Sequence, residues 1–457
     1  MATPRVPPVM RHADKVARVI AQLRAAPAGV PLSVRKRTVP HQVPKGGDLR
    51  RHDAPIDIGE LDQILRIDPD ERICIAEPGV TFEHLVEATL AVGMVPVVVP
   101  ELKTITIGGA VAGCSIESMS WKRGGFHDSC LAYEVITTDG EVLACTRDNE
   151  HRLVFEMMHG SFGTLGVLSQ LTFELVPAEP FVHVVYETYD TLAEFQAAVA
   201  DHVETGDLDF MDAIIHSPTC YVLAAGTFSA VAPYTSRYDW VKVYYRSTRD
   251  RREDYLRTAD YLFRYDRGVT NVRPKSLPAR LLFGKWMTST RWLQLAEKLP
   301  WLLRERHPTV TVDVFVPASR VVEFLAWYER EIGAYPLWCV PYRRVRDYPW
   351  LTDQFWAGVD DDLFYDLAIY GVRQPHDRNY HRMLEQELEA VGGIKTLISH
   401  NYYDEAEFWT IFNKPNYDAV KAITDPAHKL RDLYEATCRA AMGVLPAPAH
   451  TLLESRA

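Results

Sequence analysis

The sequence predicts an α+β protein in two domains, on three observations. At 457 residues the chain is longer than one typical hydrophobic core serves. Segments with the 3.6-residue apolar period of a helix are interspersed with short alternating segments that read as strands. Composition shifts after Pro177. The stretch that follows is rich in aromatics, with separated strands and helices between them. It reads as a second α+β unit whose sheet carries helices on one face.

The elements follow in order. "ADKVARVIAQLRAA" places Val16, Val19, Ile20 and Leu23 on one helical face. "GVPLSVRK" reads as a strand and leads into a basic, proline-punctuated loop, "RTVPHQVPKGGDLRRH". "ICIAEPGVT" is a strand. "TFEHLVEATLAVG" is a helix with Thr81 as its N-cap and Gly93 at its end. "VPVVVP" is a short strand, "AYEVITTDGEVLAC" a hairpin turning at Asp139-Gly140, and "GTLGVLSQLTFELVP" a glycine-led strand. In the second unit "CYVLAAGTF", "VKVYYRST", "TVDVFVP", "LWCVPYR" and "LFYDLAIYG" read as strands, and "ASRVVEFLAWYEREIG" as a helix. The tail from Glu405 to Met442 is helical, broken at Asn413–Pro415 and at Asp425-Pro426.

Composition excludes several functions. Hydrophobic residues at 47% and charged residues at 24% suit a soluble folded protein. A net charge of -11 argues against nucleic acid, whose phosphates call for a basic surface. No apolar run is long enough to span a bilayer, and the N-terminal stretch lacks the apolar core of a signal peptide. Seven scattered cysteines without a CxxC pair point to a reducing cytoplasm, with no disulfide framework and no zinc or other metal site.

The chemistry concentrates in "PELKTITIGGAVAGCSIESMSWKRGGFHDS", Pro100 to Ser129. Glycines stand at 108, 109, 113, 124 and 125, and again at 163 and 166. Neither GxGxxG after the first strand nor GxxxxGK[ST] is present, so a Rossmann fold and a P-loop are unsupported. Glycine lets backbone amides reach a large polar ligand, and amides in succession form an anion-binding concavity. Thr104, Thr106, Ser115 and Ser118 add hydroxyls. The alternative is a set of glycine turns between strands.

The order of motifs decides between these. "PLSVRKRTVPHQVPKG", then "EPGVT", "TIGGAVAG", "TDG" and "GTLG" resembles the vanillyl-alcohol-oxidase or PCMH-type FAD-binding flavoproteins. Within them, "VVPELKTITIGGAVAGCSIES", "YPLWCVP" and "NYYDEAEFW" resemble the delta-24-sterol reductases. They equally resemble the bacterial flavoproteins that reduce a methylene-bearing fatty acyl chain. The resemblance runs from near residue 15 to near residue 440 and is weakest between 180 and 320.

The resemblance implies a PCMH-type two-subdomain FAD-binding domain over 1–178, an inserted α+β substrate (cap) domain over 179–398, and a returning segment over 399–457. It implies FAD cradled by Arg37 to Lys45 and by Thr104 to Ser118, with Gly108, Gly109 and Gly113 baring the backbone and Gly163, Thr164, Gly166 and Val167 beside adenine and ribose. His41 falls near a histidine that attaches FAD covalently in some relatives. The surrounding loop departs from their glycine-histidine pattern, which favours non-covalent FAD. Glu117 and His127 are expected near the isoalloxazine ring, and Cys114 and Cys130 as buried thiols. Tyr402 and Tyr403, beside His400, stand where sugar-oxidising relatives carry a lysine. A tyrosine there suits proton donation to a C=C bond, or packs beneath the cap. Tyr417, Lys421 and Asp425-Pro426 resemble a closing element that folds back onto the FAD domain, with Lys421 either structural or at the flavin edge.

The implied function is FAD-dependent reduction of a C=C bond in a lipid-like substrate, sterol or acyl chain. The rivals are an alcohol oxidase or dehydrogenase using oxygen or a quinone, and a flavin-free binding protein on the same fold. No NADPH motif is legible, so the electron donor is either NADPH or a partner reductase. The basic, tryptophan-bearing stretch from Leu277 to His307 suits either a peripheral membrane contact of a cytoplasmic protein or a cap helix.

Overall fold

The computed structural model describes residues 10–38, 41–239, 241–266, 268 and 308–444. The basic tryptophan-bearing stretch, Leu277 to His307, lies outside the described residues.

Two large sheets organise the protein, and the α+β expectation holds. The first has six strands. Ile64–Asp68, Ile73–Ala76, Val167–Pro177, Cys130–Ile136 and Val142–Thr146 pair in that order, and Met94–Pro96 pairs with the long Val167–Pro177 strand. The hairpin turns at Gly140, whose φ of 86° few other residues adopt. Helix Phe82–Leu90 starts on Thr81, whose hydroxyl accepts from the His84 amide. Helix His12–Ala25 buries Val16, Val19 and Leu23 as its period predicts. Its polar side is anchored by Lys15, 2.7 Å from Glu77, and by His12 between Glu77 and Glu134.

The second sheet has eight antiparallel strands spanning Phe181 to Lys395. Its central strands alternate strictly. On one face Met211, Ala213, Ile215, Val312, Val314, Leu337, Cys339, Leu367 and Ile369 form a core against helices Leu192–Thr205, Val321–Glu331 and Tyr380–Val391. On the other face Phe210, Ile214, Trp338, Val340, Tyr342, Phe364 and Ala368 join the core of the first half. A strand of period two presents one set of side chains to each side, so every central strand is shared between two cores.

One segment differs from its sequence reading. "VKVYYRST" is a short helix, Tyr244–Ser247, followed by a 3-10 turn, Thr248–Asp250. Tyr244 and Tyr245 are adjacent and both buried on this turn. The strand at this edge is Glu253–Arg257. The quoted glycine segment is also more helical than its near-alternation suggests. Ile107–Ala112 is a short helix capped by Thr106, and Ser120–Arg123 is another.

The tail returns to the first half. Leu430 bridges Leu32 in parallel, and Arg431 grips Asp53 through two nitrogens at 2.7–3.2 Å. Asp425 accepts from Thr138, Lys429 and Leu430, each within 2.9 Å.

Candidate functional site

A cavity of about 1550 Å³ lies between the two halves. That exceeds the roughly 300–1,000 Å³ of an ordinary small-molecule pocket. Its wall is assembled from separate segments between Leu32 and Ala436.

One part of the wall is basic. Arg35, Lys36, Lys45, Arg50 and Arg51 line the cavity, with Lys36 beside Thr106 and Gly109. Arg50 is neutralised by Asp48 at 2.7 Å. Among the described residues Lys36 and Lys45 have no ion pair. Lys36 Nζ donates to Thr106 Oγ1 at 3.1 Å and Lys45 Nζ to the Val43 carbonyl at 3.3 Å. Burial pushes Lys36 down to about 8 and Lys45 down to about 7. A buried ammonium without a counter-ion is costly, and a ligand phosphate would remove that cost. Gly109 keeps this corner open: a Cβ there would meet Lys36 Nζ at 3.3 Å. Gly108 has another reason to be bare. Its Cβ would strike Pro78 Cβ at 2.6 Å, so it serves close packing of the short helix on the preceding turn.

Another part is acidic. Glu101, Asp313 and Asp366 all line the cavity. Burial raises all three: Glu101 to about 8, Asp313 to about 6, and Asp366 well above the carboxylate range. Tyr370 donates to Asp313 Oδ1 at 2.5 Å, while Asp366 Oδ1 has no partner among the described residues.

A second space of about 90 Å³ opens beside the first and shares Gly113, Cys114, Ile116, Phe162, Phe315 and Thr396 with it. Its remaining wall is mainly aromatic: Tyr342, Trp350, Phe355, Trp356, Phe364 and Phe412. At the junction Cys114 and Phe162 hold left-handed backbone, with φ of 52° and 51°. Such geometry costs about 1–3 kcal/mol per residue and collects at functional sites.

The structure brings many of the sequence-selected residues together. Arg37, His41, Thr106, Gly108, Gly109, Gly113, Ser115, Gly163, Thr164, Gly166 and Val167 line the large cavity. Thr104 sits behind His41, its hydroxyl 3.0 Å from Nε2. Burial and neighbouring Lys36 push His41 down to about 3, so it is neutral at pH 7. Lys421 lies beneath the wall, its Nζ donating to the Thr164 carbonyl at 2.7 Å and paired with Asp425 at 2.8 Å. His127 lines the aromatic annex, and burial holds it down to about 4. Cys130 is buried as expected, whereas Cys114 is half-buried and faces both spaces.

Other selections sit elsewhere. Ser118 and Glu117 are buried between the halves and line neither space. Glu117 Oε1 is 2.8 Å from Arg264 Nη2, which is also 3.0 Å from Asp212 Oδ1. Tyr402, Tyr403 and His400 line neither space either. They surround a buried pair, Lys395 and Glu385 at 2.6 Å. Glu385 accepts from the Tyr402 amide, Lys395 donates to the His400 carbonyl, and the Lys395 ammonium lies over the Tyr403 ring. The acidic trio and the aromatic annex went unselected. Their signal was present in Asp313 and Asp366, single carboxylates inside apolar strands.

A family description, "FAD binding domain", matches residues 7–146. The chain is 27% identical over 405 residues to the Delta(24)-sterol reductase of Homo sapiens, covering 83% of this chain and 77% of that protein. It is 25% identical over 413 residues to the Delta(24)-sterol reductase homolog dhcr-24 of Caenorhabditis elegans, covering 83% and 78%. It is 22% identical over 326 residues to cytokinin dehydrogenase 7 of Oryza sativa subsp. japonica, covering 67% and 61%. The FAD-binding domain match and the sterol reductase relatives make the chain an FAD-dependent oxidoreductase. Over most of its length it is similar to the Delta(24)-sterol reductases.

Proposed function

We propose that the protein reduces a C=C bond in a lipid-like substrate, with non-covalently bound FAD as the immediate reductant. One observation carries this reading: an aromatic, almost wholly apolar annex opens directly off the polar cavity through Phe162 and Phe315. A hydrocarbon chain or ring system satisfies such walls, and an alcohol or sugar does not. The homology to sterol reductases supports the same substrate class.

FAD suits the cavity on its chemistry. Lys36, Lys45, Thr106 and the exposed amides around Gly109 would hold the diphosphate. His41, neutral and bonded to Thr104, would face it as a hydrogen-bonding group and not as a charge. When bound and reduced, FAD supplies two electrons and one hydrogen to an alkene. The chain's own part is to exclude water with the aromatic walls, to align the alkene at the Phe315 junction, and to deliver a proton. The electron donor is either NADPH or a partner reductase.

The test is anaerobic photoreduction of the purified yellow holoenzyme, followed by a panel of alkene lipids. We expect reoxidation of the flavin by at least one alkene lipid and slow reoxidation by air. Rapid reoxidation by air with none by any alkene would establish the oxidase reading instead, and a colourless protein the flavin-free one.

A further inference from the structure

We infer that Asp366 is the proton donor of the reaction, positioned by Asp313 and Glu101, an inference that rests on the reading of an alkene reduction. Asp366 and Asp313 are on adjacent strands and on the same face of the eight-stranded sheet. Phe315 is the direct cross-strand partner of Asp366, and Ala368 that of Asp313, which makes the two carboxyls diagonal neighbours. Phe315 belongs to the wall of both spaces, and Phe364, two residues before Asp366 on the same face, to the annex. The alternation of the strand therefore sets Asp366 at the mouth of the apolar annex.

The hydrogen bonds distinguish the two carboxyls. Tyr370 donates to Asp313 Oδ1, which favours the ionised form of Asp313. Asp366 is 2% exposed, lines the cavity, and leaves Oδ1 unpartnered. The negative charge of neighbouring Asp313 and Glu101 favours the neutral form of Asp366. The neutral carboxyl is the one without a donor. The tyrosines of the annex are a poorer source. Tyr348 donates to Asp128 Oδ2 at 3.0 Å, and the Tyr342 hydroxyl is bonded to that of Tyr348, so their protons are engaged. Among the described residues no set of three His, Cys, Asp or Glu side chains has metal-holding geometry.

The step balances as follows. The alkene π bond opens and two C–H bonds form. One takes its hydrogen and electron pair from reduced FAD, which becomes oxidised. The other takes the proton of the Asp366 carboxyl, whose O–H bond breaks and leaves a carboxylate. Glu101, on the loop after Met94–Pro96 and half-buried at the cavity wall, is the adjacent carboxyl that returns a proton. The charged and titratable surroundings act in both directions. Glu117 and Asp266 add negative charge around Glu101, and Cys339 lies behind Asp366. Arg373 and His376 line the same cavity beyond Tyr370.

The experiment compares wild type, Asp366→Asn and Asp366→Glu as FAD holoenzymes, using whichever alkene lipid reoxidises the photoreduced wild type. We expect Asp366→Asn to retain FAD and to photoreduce normally, yet to be reoxidised at least about a hundredfold more slowly. We expect Asp366→Glu to recover part of the rate. The wild-type rate should fall as pH rises and the donor ionises, and the Asp366→Asn rate should be flat. Difference infrared spectra of the holoenzyme at neutral pH should contain a protonated-carboxyl band that Asp366→Asn lacks. Equal reoxidation of wild type and Asp366→Asn overturns the assignment and leaves the alkene reading intact. No reoxidation of wild type by any alkene overturns the alkene reading itself. If the variant fails to hold FAD, the wild-type spectrum decides, and absence of the protonated-carboxyl band overturns the assignment.

Discussion

Lys36 and Lys45 are the residues on which cofactor retention turns. Lys36 is half-buried and Lys45 buried, neither has an ion pair among the described residues, and burial pushes them down to about 8 and about 7. At pH 8 much of this pair is neutral in the apoprotein. A bound diphosphate stabilises the charged forms, so FAD binding at pH 8 should take up protons. Calorimetric titration in buffers of different ionisation heat measures the uptake directly. Lys36→Met should cost about 1.5–3 kcal/mol of FAD affinity, the range of a charge-assisted hydrogen bond. That is roughly a ten- to hundredfold rise in Kd. Much of this wall was readable from sequence, because threonine and glycine at 106, 108, 109 and 113 carry a local signal. Asp313 and Asp366 were not. A strand's alternation says that two faces exist, and only the three-dimensional pairing says that one of them meets a cavity. The surroundings of Tyr402 and Tyr403 were hidden for a similar reason. Both tyrosines are chemically able, but a local stretch does not reveal that they pack around the buried pair Glu385 and Lys395 and line neither space.

At the scale of elements, the central strands of the eight-stranded sheet separate stability from chemistry. Leu367 is fully buried on the helix-facing side, one residue from Asp366. Leu367→Ala should destabilise the protein by about 2–5 kcal/mol. Because its side chain points away from the cavity, FAD content at a temperature where the variant is folded should be unchanged. Denaturant unfolding and flavin absorbance together test this. Helix His12–Ala25 supplies a pH-dependent anchor. Hydrogen bonds to Glu134 and Glu77 raise His12 from 6.5 to about 9, so the folded state holds the proton more tightly than the unfolded chain. Its contribution is complete below about pH 6.5 and is lost as pH rises through about 9. The stability gap between wild type and His12→Gln should therefore close between those values. Helices and strands with clean periods were legible, as was the Asp139-Gly140 hairpin. "VKVYYRST" was not, since aromatic residues in sequence satisfy a strand's composition while both tyrosines are buried on a helical turn.

At the scale of the whole molecule, the two halves are joined by a buried charge cluster. Glu117 from the glycine-rich segment, Asp212 from the eight-stranded sheet and Arg264 meet with no solvent access, and Met211 N donates to the Ser118 carbonyl at 2.7 Å beside them. Arg264→Met leaves two buried carboxylates facing each other. It should cost about 3–5 kcal/mol in denaturant unfolding. The cavity itself has a temporal implication. Its wall includes Leu32 and Asp53 at one extreme of the sequence and Arg431 and Ala436 at the other, and the Arg431–Asp53 clasp joins positions 378 residues apart. The ribosome must therefore have released Arg431 before the nucleotide pouch can close. A nascent polypeptide stalled short of residue 431 should emerge without its pigment.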